Sequence, residues 1–189
     1  MKPAPGRRFT ILDAMVLVVA TAAGLALLRW TWKVTEFSGS LTGFQQFDLI
    51  ELGLRATFSF LATWTPALLI LRLVRPRPRW RELARQPGMV ACAAATLVLA
   101  WEAAAILGTG LVTPRFARSR GVFFFPFVLS YQEVPKVASV VAGAWLTLAL
   151  GGRWRAEPGW VDRSGQVVGV AWLACQATQT LMEFLVAML

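Results

Sequence analysis

Histidine is absent from the 189-residue chain, and with it the commonest general base and the commonest metal ligand. Cysteine is scarce. Cys92 and Cys175 both lie inside apolar stretches, so neither a disulfide framework nor a metal site is indicated. The sequence has no HExxH, no P-loop, no GxGxxG and no GxSxG nucleophile elbow. An enzyme would have to work with carboxylates, Arg and Lys alone, so a non-enzymatic chain without cofactor or metal is expected. Charge is also scarce, at 15% of residues. A soluble domain carries about 25%. Disorder is excluded as well, because it requires low hydrophobicity and this chain is 57% hydrophobic with a mean hydropathy of +0.58.

What remains is an integral membrane protein. A spanning helix needs about 20 mostly apolar residues. Five stretches qualify: Phe9 to Trp30, Leu49 to Val74, Met89 to Val112, Val134 to Leu150 and Gln166 to Met188. The fold expected is an all-α, polytopic transmembrane bundle of five spans, residues 1–189 forming one membrane domain. The apolar core of the first stretch is longer than the roughly 7–15 residues of a signal peptide, so an uncleaved span is expected there.

The net charge is +9, and the basic residues flank apolar segments. Anionic lipid headgroups on the cytoplasmic side are therefore the expected partner, rather than nucleic acid. Lys and Arg in short loops set orientation. Lys2, Arg7, Arg8, Arg75, Arg77, Arg79, Arg81, Arg85, Arg153, Arg155 and Arg163 fall on one side. Arg29, Lys33, Arg115, Arg118 and Arg120 fall on the other. This places the chain in an inner membrane, with a cytoplasmic N-terminus and a periplasmic C-terminus.

Two loops have their own character. Pro76-Arg77-Pro78-Arg79-Trp80-Arg81 is basic and stiffened by proline. Arg77, Arg79, Trp80 and Arg81 are candidates for headgroup contact; the alternative is a plain positive-inside signal. Trp154 and Trp160 flank the other inner loop and fit an aromatic belt. Gly121 to Tyr131 reads GVFFFPFVLSY, too short to span and interrupted by Pro126. An interfacial or re-entrant hairpin is expected, either as a lipid anchor or as a docking surface.

Ionisable residues inside spans usually face the bundle interior. Asp13 lies one turn inside span one. Asp48, Glu51 and Arg55 share a face at the start of span two. Glu102 sits deep in span three, Lys136 opens span four, and Glu183 lies in span five. Gln176, Gln179, Thr180 and Glu183 form a polar stripe at spacings of 3, 4 and 7. The opposed spans bring Glu51, Arg55, Glu102, Lys136, Gln176, Gln179, Thr180 and Glu183 to similar depth. One reading is helix-to-helix glue, with Glu102 reached by Arg55, Lys136 or the stripe. The other is a proton or ion path through Glu102 and Glu183. Gly165 and Gly169 form a GxxxG match for close helix packing. Pro66 is expected to kink span two.

Two resemblances follow. Phe9-Thr10-Ile11-Leu12-Asp13-Ala14-Met15 resembles a type IV pilin or pseudopilin start, with Asp13 at the acidic fifth position of that motif. Arg8 stands where that family's processing site has Gly. The whole-chain pattern looks more like small multi-pass bacterial membrane proteins with an RF-[ST]-[IL]-x-D-x-M start, here Arg8 to Asp13 and Met15. A W-[IV]-D-R segment precedes the last helix of such proteins, here Trp160 to Arg163. That resemblance implies topology and no activity. The expected role is an accessory or interaction subunit, in a homo-oligomer or with a membrane-protein partner. A small carrier or proton-conducting protein is the alternative.

Overall fold

A computed structural model describes residues 9–37, 45–74, 83–112, 134–154 and 159–188. Among the described residues the chain is helical, without strands. It forms α1 (Ile11–Phe37), α2 (Gln45–Val74), α3 (Pro87–Val112), α4 (Val134–Leu150) and α5 (Trp160–Met188). Three carry stretches long and apolar enough to cross a membrane: Ile11–Trp30 in α1, Leu52–Val74 in α2 and Pro87–Ala105 in α3. α4 is apolar but shorter, at 17 residues. α5 has the length, but Asp162, Arg163, Glu183 and three glutamines dilute its apolar character.

Several boundaries differ from those read from hydropathy. α1 runs on to Phe37, α2 begins at Gln45, and α5 begins at Trp160 rather than Gln166. Helical hydrogen bonds close within the backbone, so a helix need not stop where its side chains turn polar.

Local chemistry sets the ends. Thr10 caps α1: the Asp13 N–H reaches Thr10 Oγ1 at 3.4 Å, and the Thr10 N–H donates to Asp13 Oδ2 at 2.9 Å. This is a reciprocal capping box, satisfying donors that the first turn leaves open. Pro87 opens α3, where a missing N–H costs nothing. α4 ends in a Schellman turn. The Arg153 N–H donates to the Leu148 carbonyl and the Gly152 N–H to that of Ala149. Gly152 adopts φ +60°, which the turn requires and glycine supplies without strain. Pro66 lies inside a continuous α2.

α2, α3 and α5 pack on one another, α4 fills the groove between α3 and α5, and α1 lies against α2. Trp172, Leu68, Met89, Cys92, Val137 and Val141 form the centre. Large apolar side chains also cover the outside. Ile11, Leu12, Met15, Val18 and Val19 of α1 are exposed, as are Leu97, Trp101, Leu146, Val167 and Leu181 on other helices. Large exposed apolar side chains in this number suit hydrocarbon rather than water.

Candidate functional site

The polar groups inside the bundle fall at three levels. At the first, where α1, α3 and α5 begin, Asp162 is buried on the first turn of α5. Its Oδ1 accepts the Gly88 N–H at 3.0 Å, and its Oδ2 accepts Gln166 Nε2 at 3.0 Å. Gly88 is the second residue of α3, so its N–H is one of the four that the helix cannot satisfy itself. A carboxylate from a different helix caps it, where helix-dipole charge also favours an anion. No side chain fits at Gly88: a Cβ there would collide with the Asp162 backbone carbonyl. A Cβ on Gly165 would sit 2.6 Å from the Gly88 carbonyl oxygen. A Cβ on Gly169 would sit 2.5 Å from the Trp145 ring. The GxxxG pair is thus where α5 meets both α3 and α4.

Trp145 closes the same corner, its Nε1–H donating to the Pro87 carbonyl at 2.8 Å. Phe9 and Trp160 meet edge to face at 5.1 Å, joining the starts of α1 and α5. Asp13, Arg72 and Gln86 are buried at this end. Trp154 is exposed and packs edge to face on Trp145.

The second level is the middle. Trp172 Nε1 donates to Thr65 Oγ1 at 3.3 Å, and Thr65 in turn donates to the Leu61 carbonyl. Phe58 meets the Trp172 ring edge to face at 5.2 Å. Trp64 Nε1 donates to Thr21 Oγ1 at 3.2 Å and ties α1 to α2. The sequence offered little to single out Trp172 among nine tryptophans; its place on the helix face two turns beyond Gly165 was the available signal.

The third level holds the residues expected to form an outer cluster. Glu102 pairs with Lys136, Nζ to Oε1 2.8 Å. The Glu102 side chain is 18% exposed and the Lys136 side chain 51%. The stripe on α5 is tied along its own helix instead. Gln176 Nε2 donates to Thr180 Oγ1 at 3.0 Å, and Gln179 Nε2 to Glu183 Oε1 at 3.1 Å. Gln179 is buried, while Thr180 and Glu183 are exposed. Arg55 is half-buried on α2. The structure therefore brings Glu102 to Lys136, and the four stripe residues to one another in two pairs. The Glu51 side chain lies outside the described residues, as do Arg77, Arg79, Trp80, Arg81 and the segment Gly121 to Tyr131.

In these contacts the carboxylates accept hydrogen bonds, and Glu102 balances the charge of Lys136. Among the described residues, no group of three His, Cys, Asp or Glu side chains is placed to hold a metal ion. Comparison with protein-family models, with curated proteins and with solved structures returns no match to this chain.

Proposed function

We propose that this protein crosses the bilayer five times as an integral inner-membrane protein and serves as a non-enzymatic accessory or interaction subunit. In this reading the N-terminus is cytoplasmic and the C-terminus periplasmic. Anionic headgroups meet the end that carries Arg72, Arg85, Arg153 and Arg163. The observation that carries the subunit reading is how the interior polar groups are used. Asp162 caps α3, Asp13 caps its own helix, Trp172 and Thr65 bond each other, and Glu102 neutralises Lys136. Such groups hold helices in register, and the apolar exterior is what the chain presents to its surroundings.

The test is purification in a mild detergent followed by native mass measurement, beside ion flux in liposomes. A stoichiometric membrane-protein partner or a defined homo-oligomer, with no flux, is expected. A monomer without partner that dissipates a proton or ion gradient would sink this reading.

One observation favours the carrier alternative. The Glu102–Lys136 pair lies within the apolar length of the bundle, yet Lys136 is half exposed. Intramembrane ionisable groups commonly mark ion or proton paths. If that reading holds, Glu102→Gln abolishes a flux that the unaltered chain supports.

A further inference from the structure

Two tryptophans hold neighbouring helices in the same way. Trp64 Nε1 donates to the Thr21 hydroxyl, and that hydroxyl donates to the Leu17 carbonyl one turn back. Trp172 Nε1 donates to the Thr65 hydroxyl, and that hydroxyl donates to the Leu61 carbonyl. Each is a relay of indole, hydroxyl and backbone oxygen. The first ties α2 to α1, and the second ties α5 to α2. Both stand at one height: Phe9 touches Trp160, and Thr21 and Trp172 each follow twelve residues later on helices that run the same way. The relays therefore meet α2 at consecutive residues, Trp64 and Thr65, which leave the helix about 100° apart.

The next residue is Pro66. Proline has no N–H to give to the Ala62 carbonyl, and its ring crowds that carbonyl. Proline is a principal cause of sharp bends in long helices. Hydroxyls upstream load the same stretch. Ser59 donates to the Arg55 carbonyl, Thr63 to those of Ser59 and Phe60, and Thr65 to that of Leu61. Back-bonding of this kind also bends helices. Yet α2 is continuous from Gln45 to Val74. The turn that ought to be weakest in α2 is the one held from two sides. Phe58 against the Trp172 ring, and Gly24 closed on Phe60 and Thr63, add contacts on the same side of the proline.

We propose that Pro66 is a latent hinge in α2, and that the Trp64–Thr21 and Trp172–Thr65 relays hold it closed. The part of α2 before the hinge carries Arg55. Counted outward from Thr65 and Trp172, Arg55 is level with Met182, in the turn of α5 that holds Gln179 and Glu183. Release of the relays lets this part of α2 tilt against α5. The spacing of those polar side chains is thus governed by two indole N–H groups about 15 Å further in. The part after the hinge stays in the core through Leu68 and Leu71.

Spin-label distances in the full chain, in lipid nanodiscs, test this. Cys92 and Cys175 are first replaced by Ala. One label pair, at Thr57→Cys and Leu181→Cys, lies outward of Pro66. A second, at Ile70→Cys and Val167→Cys, lies inward of it, and all four positions are exposed. A bend of about 20° at Pro66, acting over about 13 Å of helix, moves residue 57 by about 5 Å. Trp172→Phe keeps a ring against Phe58 and removes the N–H. It is expected to shift or broaden the outward distance by that amount and to leave the inward one unchanged. Adding Pro66→Ala should restore the single narrow distance. Thr21→Val opens the other relay without altering α2 or α5, and should act in the same direction; it decides the matter alone if the Trp172 variant does not fold. An outward distance that either variant, once folded, leaves unaltered would overturn the proposal. So would a shift that persists with Pro66→Ala, or one that is equal in both pairs, because the motion would then not be a hinge at the proline.

Discussion

Asp162 shows how one side chain fixes the position of two helices. It sits on the third residue of α5, where a carboxylate ordinarily serves its own helix, and it reaches across to the Gly88 N–H instead. The two are 74 residues apart in sequence. Replacing Asp162 with Ala leaves a buried N–H without a partner, at a cost of about 1–3 kcal/mol. Asp162→Asn keeps an acceptor oxygen and the bond to Gly88, and should cost distinctly less. Chemical unfolding in detergent, compared across the pair, checks this. Equal losses would mean that charge rather than the hydrogen bond is what matters. None of this was readable from the sequence, where Asp162 stood only as part of a Trp-Val-Asp-Arg segment. Its partner is a backbone group, and backbone groups leave no mark in a sequence. The Thr10–Asp13 pair was readable, because T-x-x-D is a capping-box signature confined to four residues.

At the scale of helices, the glycines and the ion pair define how α4 is held. Gly165 and Gly169 were legible as a close-packing motif, since small residues four apart form a groove on any helix. What they pack against was not legible. Glu102 was legible as a residue needing a partner, but three candidates stood open: Arg55, Lys136 and the stripe on α5. The structure pairs it with Lys136 because α4 begins at that height. The stripe is engaged along α5 itself, where residues four apart face each other. A double-mutant cycle reads the pair directly. Glu102→Leu and Lys136→Leu should each destabilise the bundle, since each leaves a charge in apolar surroundings. The double variant should cost less than the two singles summed, with a coupling on the order of 0.5–3 kcal/mol. Strict additivity would show that the two charges act independently.

For the molecule as a whole, the distribution of charge sets the orientation proposed above. The end where α1, α3 and α5 begin carries Arg85, Arg153 and Arg163, all exposed. The acids described at that end, Asp13 and Asp162, are buried on hydrogen bonds. In the proposed orientation this positive charge would meet anionic headgroups, worth about 1 kcal/mol for each basic residue near the surface. A reporter fused after Leu189 should therefore read as periplasmic, and one inserted near Gln86 as cytoplasmic. Both reporting the same side would break the odd-span topology and leave α4 or α5 in the interface. α5 is the helix for which this matters most, because its polar residues place it below the hydropathy that marks the other long helices. Inside the bundle those residues are no obstacle: Asp162, Gln166 and Gln179 are paired and largely buried, which removes most of the cost of placing them in a membrane.

The sequence by itself determined that the chain is helical and apolar, and where each helix has its centre. Both follow from composition and from stretches of some 20 residues, which are local properties. It also determined that Gly165 and Gly169 lie at a close contact and that Glu102 requires a partner. The tertiary structure alone decided which helix supplies that partner, and how far α4 slides along its neighbours. It alone decided that Asp162 caps α3, and that Trp172 is the side chain on which α2 and α5 close. Register between helices depends on contacts between residues tens of positions apart, such as Trp145 with Pro87 and Trp172 with Thr65. Apolar faces are nearly interchangeable along their length. Only these few directional bonds and the steric fit at the glycines distinguish one sliding position from another.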